Sequence, residues 1–129
     1  MTTPSPCIAV IDDEAPVRTM LGRVLRLDGY QVALFASGDA FLASLAGQPP
    51  TCVVLDVHMP RLSGFDVLSR LRATGAQIPA IFITASDDPS LDQTVAEAGG
   101  VALLRKPFAS KDLLSAIRTA IRDRSRDVS

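Results

Sequence analysis

Five times over, the chain follows a short apolar run with a segment of helical period, and that alternation leaves few folds open to it. An apolar run without polar alternation suits a strand covered on both faces, as parallel strands are. The predicted strands are Cys7–Ile11, Gln31–Phe35, Thr51–Leu55, Pro79–Ile83 and Val101–Leu104. After the first, Pro16 stands where a helix accepts a proline, in its first turn. Val17, Met20, Leu21, Val24 and Leu25 then recur at spacings of three and four, with Arg18, Arg23 and Arg26 elsewhere on the wheel. Gly29 is the predicted C′ residue of that helix. Ser37, Ser63 and Ser110 are predicted N-caps of three later helices. Their inward residues are Phe41, Leu42 and Leu45, then Val67, Leu68 and Leu71, then Leu113, Leu114, Ile117 and Ile121. Leu91, Val95 and Ala98 mark a less apolar helix between the last two.

Strand followed by helix, repeated with short loops, predicts an α/β fold with a mainly parallel sheet covered on both faces. Right-handed crossovers make it doubly wound. In such sheets the site lies at the carboxyl ends of the strands. Asp12 and Asp13 follow the first predicted strand, Asp56 the third, Thr84 the fourth and Lys106 the fifth. The polar residues that end these apolar runs therefore gather at one edge.

Composition narrows the function. A chain of 129 residues, 47% apolar and 21% charged, fits one globular domain with a real core. With 13 basic and 14 acidic residues, no bulk attraction to nucleic acid or anionic lipid is expected. Cys7 and Cys52 lack metal-ligand spacing and are expected to be buried free thiols. No run reaches transmembrane length, and Thr2 to Pro6 lack the apolar core of a signal peptide, so a cytoplasmic location is expected. Residues 1–122 are predicted to form the domain, with 123–129 a polar tail or the start of a linker.

Asp12, Asp13 and Asp56 would crowd three negative charges into one cleft, where each raises the pKa of the others unless a cation joins them. A hard divalent ion is the natural remedy, and Mg²⁺ suits few carboxylates with retained waters. Lys106 adds a mobile positive charge, and the Thr84 hydroxyl can donate to an anionic oxygen. These are the parts of a phosphoryl-transfer site: a carboxylate nucleophile, a metal, a cation and a donor. Each residue also has a plainer reading. Asp12-Asp13 can cap a helix, Asp56 can be a turn residue before Pro60, and Lys106 can be an ordinary exposed lysine. His58 is the single histidine; its side chain is expected at the cleft rim, as is that of Ser86. Phe65, Phe82 and Phe108 are expected in the core.

The acid pair Asp12-Asp13, the run Val54-Leu55-Asp56-Val57-His58-Met59-Pro60 with Gly64 following, Thr84-Ala85 and Lys106-Pro107-Phe108 resemble the receiver domains of two-component response regulators. The resemblance covers about Ile8 to Ile121. It implies a flavodoxin-like (βα)5 fold with strand order 2-1-3-4-5 and a histidine kinase or phosphotransfer protein that phosphorylates Asp56. It further implies Mg²⁺ held by Asp13, Asp56 and the His58 backbone carbonyl, with Asp12 acting through water. Thr84 and Lys106 would contact the phosphoryl oxygens, with a cis Lys106–Pro107 peptide. Movement of Thr84 towards the new anion would open space for a side chain on strand five. The family usually places Tyr or Phe three residues before the lysine, whereas this chain has Leu103, so the switch pair here is Thr84 and Leu103. The face of the fourth helix, fifth strand and fifth helix is the implied signalling surface.

Two function classes follow. One is a phosphorylation-controlled switch, with no enzymatic activity beyond self-phosphorylation and loss of the phosphoryl group at Asp56. The other is a Mg²⁺-dependent phosphohydrolase of the haloacid-dehalogenase type, which needs a second acid where this chain has His58, and usually a cap domain. Phe41-Leu42-Ala43-Ser44-Leu45 and the run from Leu55 to Gly64 resemble the FixJ-like subgroup, whose receivers commonly precede a DNA-binding domain. No basic recognition helix occurs within these residues, so direct nucleic-acid binding and membrane association are not expected of them. A stand-alone receiver, a piece of a longer regulator and a receiver on a hybrid kinase all remain open. Homodimerisation on phosphorylation is expected.

Overall fold

A computed structural model describes the backbone of residues 5–127 and the side chains of residues 5–124. Its elements in chain order are β1 (Cys7–Ile11), α1 (Ala15–Leu27), β2 (Gln31–Phe35), α2 (Gly38–Ser44) and β3 (Cys52–Asp56). Then come α3 (Gly64–Ala73), β4 (Ala80–Thr84), α4 (Leu91–Glu97), β5 (Ala102–Arg105) and α5 (Ser110–Asp127). All five strands are parallel, in the order β2-β1-β3-β4-β5. This is the predicted doubly wound fold, and the order reverses beside β1, between β1 and β3, which is where such sheets open a crevice.

Strand alternation sorts the core into two layers. Ala9, Ile11, Val53, Leu55 and Phe82 pack with residues of α2, α3 and α4. Ile8, Val10, Cys52, Val54, Ile81 and Ile83 pack with α1 and α5. Successive side chains point to opposite faces, so a strand with both faces covered must be apolar throughout. β3 and β4 are accordingly buried at every position.

Several boundaries differ from the sequence expectation. β3, β4 and β5 each begin and end one residue later than predicted. Pro79 has no N–H to give a ladder, and the ladder runs on at the other end instead. Asp56 pairs with Ile83, the Val57 N–H donates to the Ile83 carbonyl at 2.9 Å, and the Lys106 N–H donates to the Thr84 carbonyl at 2.7 Å. Asp56 and Thr84 are thus the last residues of their strands rather than the first of the loops. Ser110 is not a cap. It is the first residue of α5, and the Ala109 carbonyl accepts from the Asp112 and Leu113 N–H groups. Cys7 is only half-buried, at the open start of β1, while Cys52 is buried and its thiol is pushed up to about 12 by burial. α5 continues to Asp127, and residues 128–129 of the expected tail lie outside the described residues, as do Thr2, Thr3 and Pro4 of the leader reading.

The other local expectations match. Gly29 sits at φ +95° with its N–H on the Arg26 carbonyl, and the Tyr30 N–H reaches the Leu25 carbonyl, a Schellman ending for α1. Ser37 and Ser63 cap α2 and α3 through their side chains. Phe82 is fully buried, whereas Phe65 and Phe108 are half-buried against the two cores. No helix among the described residues is long and apolar enough to cross a membrane.

Candidate functional site

Three strand ends build the cleft, and each supplies charge for a local reason. After β1 the chain turns through Asp12, whose Oδ1 accepts the Glu14 N–H at 2.9 Å and whose carbonyl accepts Arg18 Nη1 at 2.7 Å. The turn is thereby locked onto the first turn of α1. Asp56 ends β3, and its Oδ1 accepts the His58 N–H at 3.3 Å. Lys106 leaves β5 through a cis peptide to Pro107.

Lys106 is where the three converge. Its Nζ lies 2.9 Å from Asp12 Oδ2, 3.4 Å from Glu14 Oε1 and 3.6 Å from Asp56 Oδ2. Asp12 is 0% exposed and Asp56 4%, so both acids are enclosed. Burial, with the Asp12 charge beside it, pushes the Asp56 carboxyl up to about 6, against the pull of Lys106 and the His58 N–H. For Lys106, burial works against the charge, but the hydrogen bond it donates to Asp12 and the charges of Asp56 and Asp12 outweigh it and hold the ammonium above its ordinary value.

Oxygens from Asp12, Asp13, Glu14 and Asp56 all lie within 4.8 Å of one another. Two of these acids are buried and two face solvent. Hard oxygen donors of this number, open on one side, suit a hard divalent cation that keeps part of its water shell. The donor set therefore fits Mg²⁺.

Thr84, the last residue of β4, is fully buried, and its Oγ1 accepts the Ser86 N–H at 3.0 Å. Ser86 is half-buried beside it. His58 is exposed, so its ring stands at the rim as expected, and its N–H on Asp56 is an additional role. Leu103 pairs in register with Phe82 and is half-buried against the α2–α3–α4 core. It lies two positions along β5 from Arg105, the residue that pairs with Thr84.

Three residues have roles that the sequence alone does not assign. Glu14, the next acid after Asp12-Asp13, reaches Lys106 from 92 positions away in the chain. Arg18 was one arginine among several on a helix wheel. Gly64 was part of a motif without a physical reason, and the structure supplies one. A Cβ there would stand 2.4 Å from the Asp56 carbonyl oxygen and 3.1 Å from the Phe82 ring. Only a residue without a side chain lets α3 begin this close to the end of β3.

The chain is similar to known proteins in both sequence and fold. The profile of the response regulator receiver domain matches residues 8–118. The response regulator protein TmoT of Ectopseudomonas mendocina is 39% identical over 89% of this chain and 52% of its own length. The response regulator MprA of a Mycobacterium species is 42% identical over 93% of this chain and 52% of its own. The chain thus spans about half the length of these curated relatives. Among solved structures, full-length FixJ from B. japonicum is 38% identical with a TM-score of 0.85, over 93% of this chain and 59% of that one. A CheY-like receiver domain protein from Methanospirillum hungatei shares the fold at 20% identity and a TM-score of 0.87, over 95% of this chain and 98% of that one. A family match from residue 8 to residue 118, which takes in the carboxyl ends of all five strands, leaves one conclusion: the chain belongs to the receiver domain family of two-component response regulators.

Proposed function

We propose that the chain is a phosphorylation-controlled switch whose acceptor is Asp56. The observation that carries this reading is an acid only 4% exposed, next to a second buried acid, with its nearest cation 3.6 Å away. Such a carboxylate is poorly compensated where it stands, and reaction or cation binding relieves it. A carboxyl displaced to about 6 is mostly anionic at neutral pH, yet more basic than an ordinary aspartate and so a better nucleophile.

In the proposed step an Asp56 oxygen attacks the phosphorus of a phosphohistidine on a sensor kinase or phosphotransfer protein. The new O–P bond forms as the P–N bond breaks, and the imidazole leaves with the electron pair and takes a proton from water. Asp13, Asp56 and the His58 carbonyl would hold Mg²⁺, with Asp12 acting through water. When bound, Mg²⁺ supplies positive charge against the crowded anionic oxygens. Lys106 turns from Asp56 to a phosphoryl oxygen while Asp12 keeps it anchored. Thr84 gives up its Ser86 contact and donates its hydroxyl to another oxygen. The phosphoryl group brings about −1.5 to −2 charges, which draws both residues inward. Leu103 then repacks into the space beside Thr84, and the α4-β5-α5 face carries the change to an output partner or a second copy. The natural setting is the cytoplasm, with the receiver unit running through α5 to Asp127.

Incubation with Mg²⁺ and acetyl phosphate tests the reading. A one-to-one adduct that decays slowly and is absent in Asp56→Asn is the expected result. Rapid multiple turnover of phosphate esters would contradict it and favour a phosphohydrolase.

A further inference from the structure

Three acids surround the Lys106 ammonium, and they are not equivalent. The side chains of Asp12 and Asp56 are 0% and 6% exposed, while that of Glu14 is 59% exposed. Glu14 therefore closes the solvent side of the ion cluster. It also occupies the N-cap position of α1, where the shorter Ser, Thr, Asp and Asn are the residues that cap, and its longer side chain makes no capping bond. The carboxylate is turned back to Lys106 instead, at 3.4 Å, and one of its oxygens joins the group of acids within 4.8 Å.

The geometry points to Glu14 as a positioning residue that tunes which phosphodonors the site accepts. The inference rests on Asp56 being the acceptor. Its first effect is on Lys106, which is held from the outer side in the resting state and must leave Glu14 to follow a phosphoryl oxygen. Its second effect is on the donor. The Glu14 charge stands at the solvent side, so an incoming anion meets it before meeting the buried ammonium. A doubly charged small donor feels this more than a singly charged one, and added salt weakens the difference because the charge is exposed. Glu14 also adds a negative charge to the acidic group, which strengthens attraction for a divalent cation.

The test compares Glu14→Gln and the charge-retaining Glu14→Asp with the unaltered chain. Phosphorylation rates are measured with acetyl phosphate, a dianion near neutral pH, and with phosphoramidate, a monoanion. Mg²⁺ binding is measured separately by calorimetry without any donor. In Glu14→Gln the rate ratio of acetyl phosphate to phosphoramidate is expected to rise roughly threefold to tenfold at low salt and to return towards the original value at high salt. Mg²⁺ affinity should fall in the same variant, and Glu14→Asp should keep both the ratio and the affinity close to the original. An unchanged donor ratio with normal labelling of Asp56 would overturn the Glu14 inference alone. A change equal for both donors and indifferent to salt would do the same. Absence of label on the unaltered chain would overturn the acceptor reading together with it.

Discussion

Asp56 is stabilised less by its surroundings than it would be by water, and that has a pH signature. Its native carboxyl titrates at about 6 against 3.8 for the free group, so the native state holds its proton to higher pH than the unfolded chain does. No penalty exists below the unfolded value; it develops as pH rises through this window and is complete above it. Near neutral pH it amounts to about 1–3 kcal/mol, taking each unit as 1.4 kcal/mol. Asp56→Asn should therefore raise the urea midpoint at pH 7.5 and leave it nearly unchanged at pH 4. Lys106 is not orphaned by the substitution, because Asp12 stays 2.9 Å away. Mg²⁺ should stabilise the unaltered chain and do so much less in the variant. A midpoint at pH 7.5 equal to or below that of the unaltered chain would contradict this account. Gly64 gives a second test. Alanine would gain about 1 kcal/mol of helix propensity in an ordinary helix. Here its Cβ would strike backbone at 2.4 Å, which cannot rotate away, so Gly64→Ala should instead lose about 2–3 kcal/mol in urea unfolding. The acids and the lysine were legible in the sequence because charge interrupting a buried run is conspicuous. Gly64 and Glu14 were not, since a close backbone approach and a contact across 92 positions exist only once the chain has folded.

Elements were legible wherever both signals, period and punctuation, agreed. β1 and β2 fall on the expected residues, the first run bounded by Pro6 and Asp12 and the second flanked by the helix-ending Gly29 and the helix-capping Ser37. The later strands slip by one residue because their partners, not their own composition, decide where the ladder stops. The slip has a chemical consequence: Asp56 and Thr84 keep strand geometry, so their side chains are aimed by the sheet rather than by a loop. Serines show the same dependence on context. Ser63 and Asp66 form a reciprocal capping box at the start of α3, whereas Ser110 lies inside the first turn of α5. Ser63→Ala should cost about 1 kcal/mol, and Ser110→Ala should change stability by less than about 0.5 kcal/mol. Chemical denaturation of the pair checks this, and equal losses would show that the cap assignment is wrong.

At the scale of the molecule, the alternation of runs was enough to predict the layers, because a strand apolar on both sides demands cover on both. α1 and α5 take one face, α2, α3 and α4 the other. The placement of the cleft follows from that winding, since parallel strands deliver all their carboxyl ends to one edge. What leaves the molecule is less directly encoded. α4 is short, and Arg105 at the end of β5 pairs with its Asp92 at 2.9 Å and also donates to the Asp88 carbonyl at 2.8 Å. Both contacts are exposed and contribute little to stability, so the α4-β5-α5 face can rearrange at small cost. Light scattering with and without beryllofluoride, a phosphoryl mimic, should show a larger mass in its presence. An unchanged mass would count against this face as a self-association surface.

We propose that one residue, Asp56, carries the signal. Its most direct test is chemical. After reaction with Mg²⁺ and acetyl phosphate, borohydride reduces an aspartyl phosphate to homoserine with release of phosphate, and peptide mass mapping locates the altered residue. The account predicts homoserine at position 56 and nowhere else, with none formed in Asp56→Asn. Homoserine at Asp12 or Asp13, or a phosphoryl group that survives in Asp56→Asn, would contradict it.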